Sequence, residues 1–182
     1  MANTKWVLDP THSELGFKIK HLMISSVSGN FKDLEAEVTT DGENFATAQI
    51  EAKIKTSSIN TNNEQRDAHL RTSDFLEAEK YPEIVFKSTR IEKQDDELFL
   101  IYGNLTMKGI TKPVKLNAEY NGVTKDPWGG ERAGVTITGK INRSEWNVTF
   151  NAVLETGGVA LSDEIKIHSE VQLVKQAVSV AA

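Results

Sequence analysis

The chain contains no cysteine among its 182 residues. Disulfides, thiolate metal sites and thiol catalysis are therefore excluded. It also lacks a basic run. Its 21 Lys and Arg are interspersed with 26 Asp and Glu, for a net charge of -5, which is no footprint for a phosphate backbone. Nucleic acid is not an expected partner. No stretch of about 18 apolar residues occurs, so no helix is expected to span a membrane. The opening residues, from Met1 to Pro10, carry no apolar core of a leader peptide, so the chain reads as cytoplasmic. A chain whose export leader had been removed would read identically. No Pro/Ser-rich linker divides it. The expectation is one domain over residues 1–175, followed by a disordered tail over 176–182 that lacks turn and charge signals.

What is present is period-two alternation. Eight runs show it, each with one polar face: Leu15–Ile19, Leu34–Val38, Ala46–Ile54, Ile84–Ser88, Phe99–Leu105, Val114–Tyr120, Ala133–Ile141 and Ile165–Leu173. Turn signals fall between several of them, at Asp41-Gly42, Asp95-Asp96, Asn121-Gly122 and Asp126-Pro127-Trp128-Gly129-Gly130. One-sided antiparallel strands must bury a common face, and eight of them suit a barrel or a sandwich. Two longer insertions interrupt the pattern, over residues 57–82 and 142–164. The first has helical spacing, with Leu70 and Phe75 expected to point inward. In the second, Asn142 is placed to cap a short helical turn.

The inward faces carry many small residues: Ala46, Ala48, Ala52, Ser88, Gly103, Ala118, Gly139 and Ser169. Eight strands enclose an interior that side chains fill or that holds one small ligand. Small residues there either leave a hollow or offset large neighbours on facing strands. Both readings stand at this level. A hollow would have an apolar wall and take an apolar chain. Burying one isoprene unit is worth about 4 kcal/mol at about 0.8 per methylene-sized group. Two or three units reach micromolar binding, about -8 kcal/mol, after the cost of association.

Several segments, in order, resemble one family. They are Trp6–Ser13, Phe17–His21 with Gly29–Phe31, Asn63–Phe75, Tyr81–Phe86, Gly103–Pro113, Ile141–Trp146 and Leu161–Ile167. Each is weak alone, but the ordered set covers nearly the whole chain. It is similar to the YceI-like proteins, a polyisoprenoid-binding, lipocalin-like family of bacteria. One departure is Asn147, where the family pattern has glycine after the aromatic residue. The resemblance implies an all-β, eight-stranded antiparallel lipocalin-like barrel with short helical insertions. It also implies an interior for a long isoprenoid or similar amphiphile, of polyprenyl phosphate or quinone type. It implies no enzymatic activity and no cofactor beyond that ligand.

On this reading the tail lies along Phe17, Ile19, Ala48, Ile50, Ala52, Phe75, Phe86, Ile101, Leu105, Leu116, Ile137, Trp146 and Ile167. Arg66, Asp67, His69 and Arg143 are candidates for the head group, because arginine suits phosphate oxygens. For Arg66, Asp67 and His69 a structural role, pinning a helix to the barrel, is favoured over ligand contact. The opposing hypothesis is an enzyme acting on a lipid or quinone, with His69, Asp67 and Arg66 in acid–base roles at the barrel mouth. A third is a filled barrel acting as an interaction module. A homodimer shielding an apolar mouth is a further expectation. The four histidines, His12, His21, His69 and His168, lack metal-ligand spacing, so no metal is expected. Ser13 and Ser144 lie outside any Gly-x-Ser-x-Gly elbow, which sets acyl hydrolysis aside.

Overall fold

Alternating strands that each bury one face close here into a ring. A computed structural model describes residues 3–152, 154 and 159–177. Its strands are β1 (Asn3–Leu8), β2 (Glu14–His21), β3 (Ser25–Phe31), β4 (Leu34–Asp41), β5 (Asn44–Lys55), β6 (Ile59–Asn60), β7 (Glu83–Lys93), β8 (Leu98–Met107), β9 (Ile110–Lys125), β10 (Glu131–Asn142) and β11 (Leu161–Lys175). One α-helix, α1 (Glu64–Leu70), and two 3-10 turns, Thr56–Ser58 and Arg143–Trp146, complete it.

Eleven strands form eight staves. β1 and β2 lie end to end along β11, pairing with its residues 173–175 and 161–170 respectively. β4 pairs with β1 and β3 with β2, so these two also run end to end. β5 and β6 flank them in the same manner. The remaining strands follow as antiparallel neighbours, β5-β7-β8-β9-β10-β11, and β11 closes on β1. The result is the expected eight-stranded antiparallel barrel in up-and-down order.

The alternation does not reveal β1, β3 or β6. β1 is cut from β2 by Asp9-Pro10, since proline offers no amide to the ladder. There Ser13 Oγ stands in for a backbone partner, accepting from Gln172 N at 3.0 Å. β3 is rich in serine and has no apolar period. Asn121-Gly122 is not a hairpin turn. It lies within β9, where pairing jumps from Val123↔Ala133 to Tyr120↔Val135, and Gly122 takes a φ of 97°. This is a bulge that bends the strand.

One barrel end is plugged. Trp6 is fully buried and donates from Nε1 to Thr40 Oγ1 at 3.1 Å. Phe45 stacks between Trp6 and Tyr120, with ring centroids at 5.2 and 5.0 Å. The other end carries α1 and the Arg143–Trp146 turn. Asn63 caps α1, accepting from Arg66 N at 3.0 Å. Asn142 precedes the second turn but makes no side-chain cap bond. Asp163 caps it instead, accepting from Ser144 N at 2.9 Å and Ser144 Oγ at 2.8 Å. Asn147 closes that turn at φ 59° and ψ 28°, a left-handed position. Glycine suits it best and asparagine next, so the departure from the family pattern leaves the backbone unchanged in kind.

The domain reaches slightly beyond residue 175, since Gln176 N donates to Lys5 O at 2.8 Å. Residues 178–182 of the expected tail, and 153 and 155–158 of the second insertion, lie outside the described residues.

Candidate functional site

A cavity of about 570 Å³ runs inside the barrel. That size suits a small-molecule ligand. At the plugged end it is lined by Leu8, Val38, Phe45, Tyr120 and Leu173, and at the other by Arg66, His69, Phe75, Arg143 and Phe150. Phe45 to Ile54 along β5 alone is nine residue steps, about 30 Å of strand. The cavity therefore follows the long axis. Of its lining residues, only Arg66, His69, Phe150 and Ala152 are exposed, and all four lie at the end carrying α1. That end is the mouth.

Small residues play two roles in the wall. Ala48 and Ala52 face the cavity from β5 and leave it room. Gly103 and Gly139 do not. A Cβ on Gly103 would overlap the Phe86 ring, and one on Gly139 would meet Leu116 Cδ2 at 2.6 Å. These glycines let large neighbours lie flat across them. Ala46, expected inward, packs near the cluster around Phe86 but does not line the cavity; Phe45 does. The register shift between Thr39 and Asp41 opposite the start of β5 changes which side chain points in.

Phe17, Ile19, Ala48, Ile50, Ala52, Phe75, Phe86, Ile101, Leu105, Leu116, Ile137 and Ile167 all line the cavity. Leu70 lines it as well. Trp146 does not. It is 1% exposed, packs in the apolar cluster at the mouth end, and donates from Nε1 to Leu105 O at 3.0 Å. An indole buried this deeply needs that acceptor, and satisfying it turns the ring away from the hollow.

The head-group candidates divide in the same way. Arg66 and Arg143 line the cavity, and among the described residues they are its only charged side chains apart from the titratable His21 and His69, with no carboxylate in the lining. Arg66 is held by Thr61, with Nε donating to Oγ1 and Nη2 to the carbonyl, each at 2.8 Å. Arg143 is buried. It donates from Nε to Ser162 O at 2.9 Å and from Nη1 to Val148 O and Phe150 O at 2.8 and 3.0 Å. Burial pushes its guanidinium pKa down, while the charge of Asp163 acts in the opposite sense. Asp67 does not reach the cavity. It is buried and accepts from Thr61 N at 2.9 Å and from Thr61 Oγ1. That bond pins α1 to the barrel, the structural role favoured for it.

His69 sits at the mouth. Its Nε2 lies 2.8 Å from Asp74 Oδ2, and its ring meets Phe75 and Phe150 edge-on at 5.1 and 5.0 Å. Arg66 and Asp67 thus meet through the shared Thr61 hydroxyl, while His69 bonds apart from them to Asp74. The other histidines are also accounted for. His12 Nδ1 lies 2.8 Å from Asp9, and the outward His168 Nε2 lies 2.9 Å from Glu170. His21 lines the cavity, which its strand position does not reveal. Ser144 Oγ is committed to Asp163. Among the described residues no three His, Asp or Glu side chains gather as a metal site.

The alternation does not reveal Phe150, Phe45 or His21 as lining. Phe150 lies in an irregular segment with no period to read. Phe45 depends on a bulge, whereas Tyr120 keeps the inward parity of Leu116 and Ala118.

The YceI-like domain matches residues 6–173, nearly the whole barrel. The chain belongs to the YceI-like family. It is 39% identical over 170 residues to the UPF0312 protein SA2479 of Staphylococcus aureus, covering 93% of this chain and 96% of that one. The Campylobacter jejuni YCEI protein, whose crystal structure is known, is 37% identical, with a TM-score of 0.74 over 88% of this chain and 91% of that one. Burkholderia cenocepacia BcnA shares the fold at 22% identity, with a TM-score of 0.76 over 91% of this chain and 98% of that one. A polyisoprenoid binding domain from Saccharophagus degradans shares it at 15% identity, with a TM-score of 0.69 over 94% and 98%.

Proposed function

We propose that this YceI-like protein is a non-enzymatic carrier for an amphiphile with a long isoprenoid tail and an anionic head, of the polyprenyl phosphate class. One observation carries the reading. The cavity is apolar along its length, and among the described residues its two fully charged lining side chains are both arginines at the mouth. An apolar chain laid along Phe17, Ile50, Leu116 and Ile137 is stabilised by burial alone. The arginines orient it, with the head group at the mouth.

A neutral quinone head gains less from two guanidinium groups, which is why the anionic class is preferred. The same fold serves polyisoprenoid binding in the Saccharophagus degradans domain, by that protein's description. A carrier is preferred to an enzyme because Arg66, Asp67 and His69 are engaged with Thr61, Thr61 and Asp74 rather than with one another.

The test begins with an organic extract of the purified protein, analysed by mass spectrometry. A stoichiometric prenyl phosphate is the expected result. Titration with geranylgeranyl phosphate and geranylgeraniol then isolates the head. The phosphate should bind about tenfold tighter, as one or two charge-assisted hydrogen bonds provide. Equal affinity would reject the anionic head, and no affinity for either would reject the carrier.

A further inference from the structure

The hairpin joining β2 and β3 turns at the mouth end of the barrel. Leu22 and Met23 occupy its two central positions, with φ of 55° and 62°, and Ile24 N closes it on His21 O at 3.3 Å. Two positive φ values describe a type I′ turn, where Asn-Gly is preferred. A side chain with a Cβ is strained there, and bulky apolar ones gain nothing locally. Elsewhere the chain respects this rule. Positive φ falls on Gly42, Gly109, Gly122 and Gly129, or on the polar Asn62, Glu77, Lys108 and Asn147. Among the described residues, Leu22 and Met23 are the only apolar ones in this conformation.

The tip is also badly placed for solvation. Met23 is 62% exposed and Ile24 85%. Hydration therefore opposes three successive large apolar residues, and backbone strain opposes the first two of them. Strain held at an exposed tip points to function.

The surroundings suggest which function. Leu22 N donates to Ala160 O at 2.7 Å, and Ala160 N to Ala152 O at 2.9 Å. His21, Ala152 and Ala160 line the cavity. Phe150 and Val159, beside them, are two more exposed large apolar residues. The apolar rim is thus continuous with the mouth. Trp128 is exposed as well, but on the β9–β10 turn at the plugged end, beyond Trp6, Phe45 and Tyr120.

We infer that the Leu22-Met23-Ile24 tip, with Phe150 and Val159, is a membrane-docking rim that inserts into the head-group boundary of a lipid bilayer. The inference rests on the cavity being a lipid site. An isoprenoid tail is dissolved in a bilayer, and every methylene carried through water opposes its transfer. A mouth set against the bilayer shortens that path. Shallow insertion of a small apolar surface is reversible, as loading and release require. Arg66, exposed at the mouth with no carboxylate among the described lining residues, complements anionic lipid heads.

The test is flotation of the whole protein with phosphatidylcholine vesicles, with and without phosphatidylglycerol. Replacing Leu22→Asn together with Met23→Gly supplies the residues this turn prefers, so the melting temperature should hold or rise. Wild type should float. The double variant should lose about tenfold in partitioning through the lost apolar area, yet bind water-soluble geranyl phosphate as before. Ala52→Trp, which narrows the cavity, should float like wild type while losing geranylgeranyl phosphate. That pattern separates the rim from the cavity. Failure of wild type to float, or undiminished flotation of the double variant, overturns the rim. So does a tip substitution that changes only self-association in sedimentation, which would assign the tip to a second copy.

Discussion

Phe86 lies flat over Gly103, its ring in the space that a side chain on Gly103 would occupy. The two face one another diagonally across the β7–β8 pairing, where Phe86 opposes Leu105 and Ser88 opposes Gly103. A ring that would otherwise project into the hollow is thereby laid against its wall. The width of the cavity depends on a residue that never touches a ligand.

Gly103→Ala should therefore cost stability and affinity together. The added methyl forces the Phe86 ring toward the cavity, an overpacking cost of about 1–3 kcal/mol. Thermal melts should show a lower transition, and titration with geranylgeranyl phosphate a weaker one. A variant that melts lower but binds normally would show that the ring moves elsewhere.

Ala48 and Ala52 both line the cavity from β5. Ala52→Trp should fold, with a far-ultraviolet spectrum like wild type, and should lose the long-tailed ligand by more than about tenfold. Normal binding by the folded variant would remove β5 from the binding wall.

Asp67 holds α1 to the barrel through Thr61. Asp67→Ala leaves the buried Thr61 amide without its acceptor, at about 1–3 kcal/mol. It should lower the denaturation midpoint and speed amide exchange in α1. Under the competing enzymatic reading, Asp67→Ala and His69→Ala would abolish a turnover measurable in wild type. The carrier reading expects no such turnover to lose.

Asp9 ties the β1–β2 connection to β10. It accepts from Thr11 N at 2.9 Å, lies 2.8 Å from His12 Nδ1, and accepts from Arg132 Nη1 at 2.6 Å. Hydrogen bonds from His12, then from Thr11 and Arg132, hold its carboxyl far below the ordinary value of 3.8. A depressed carboxylate pKa stabilises the fold above the unfolded value and loses that contribution as pH falls toward the folded one. Asp9→Asn should thus be less stable than wild type at neutral pH. The gap should narrow as pH drops below about 4. A gap constant from neutral pH to acid would mean the ionised carboxylate contributes nothing.

The sequence by itself determined eight one-sided antiparallel strands, enough for a barrel or a sandwich, and the ordered family segments pointed to the barrel. It also determined most of the wall. Residues such as Ile50, Leu116 and Ile167 sit at fixed parity along regular strands, and parity decides the side on which a residue falls.

Tertiary structure decided the rest, because the deciding contacts are non-local. Whether a small residue leaves a hollow, as Ala52 does, or accommodates a ring, as Gly103 does, depends on the neighbouring strand. Trp146 turned out of the wall into the apolar packing at the mouth end because its indole found the carbonyl of Leu105, 41 residues away. A bulge reset the parity at Phe45. The mouth, where Arg66, Arg143 and Phe150 lie at the same end as the strained tip at Leu22 and Met23, is assembled from segments far apart in the chain. Only closure of the ring brings them to one end, since a stave's two ends are equivalent in sequence until its neighbours cover one of them.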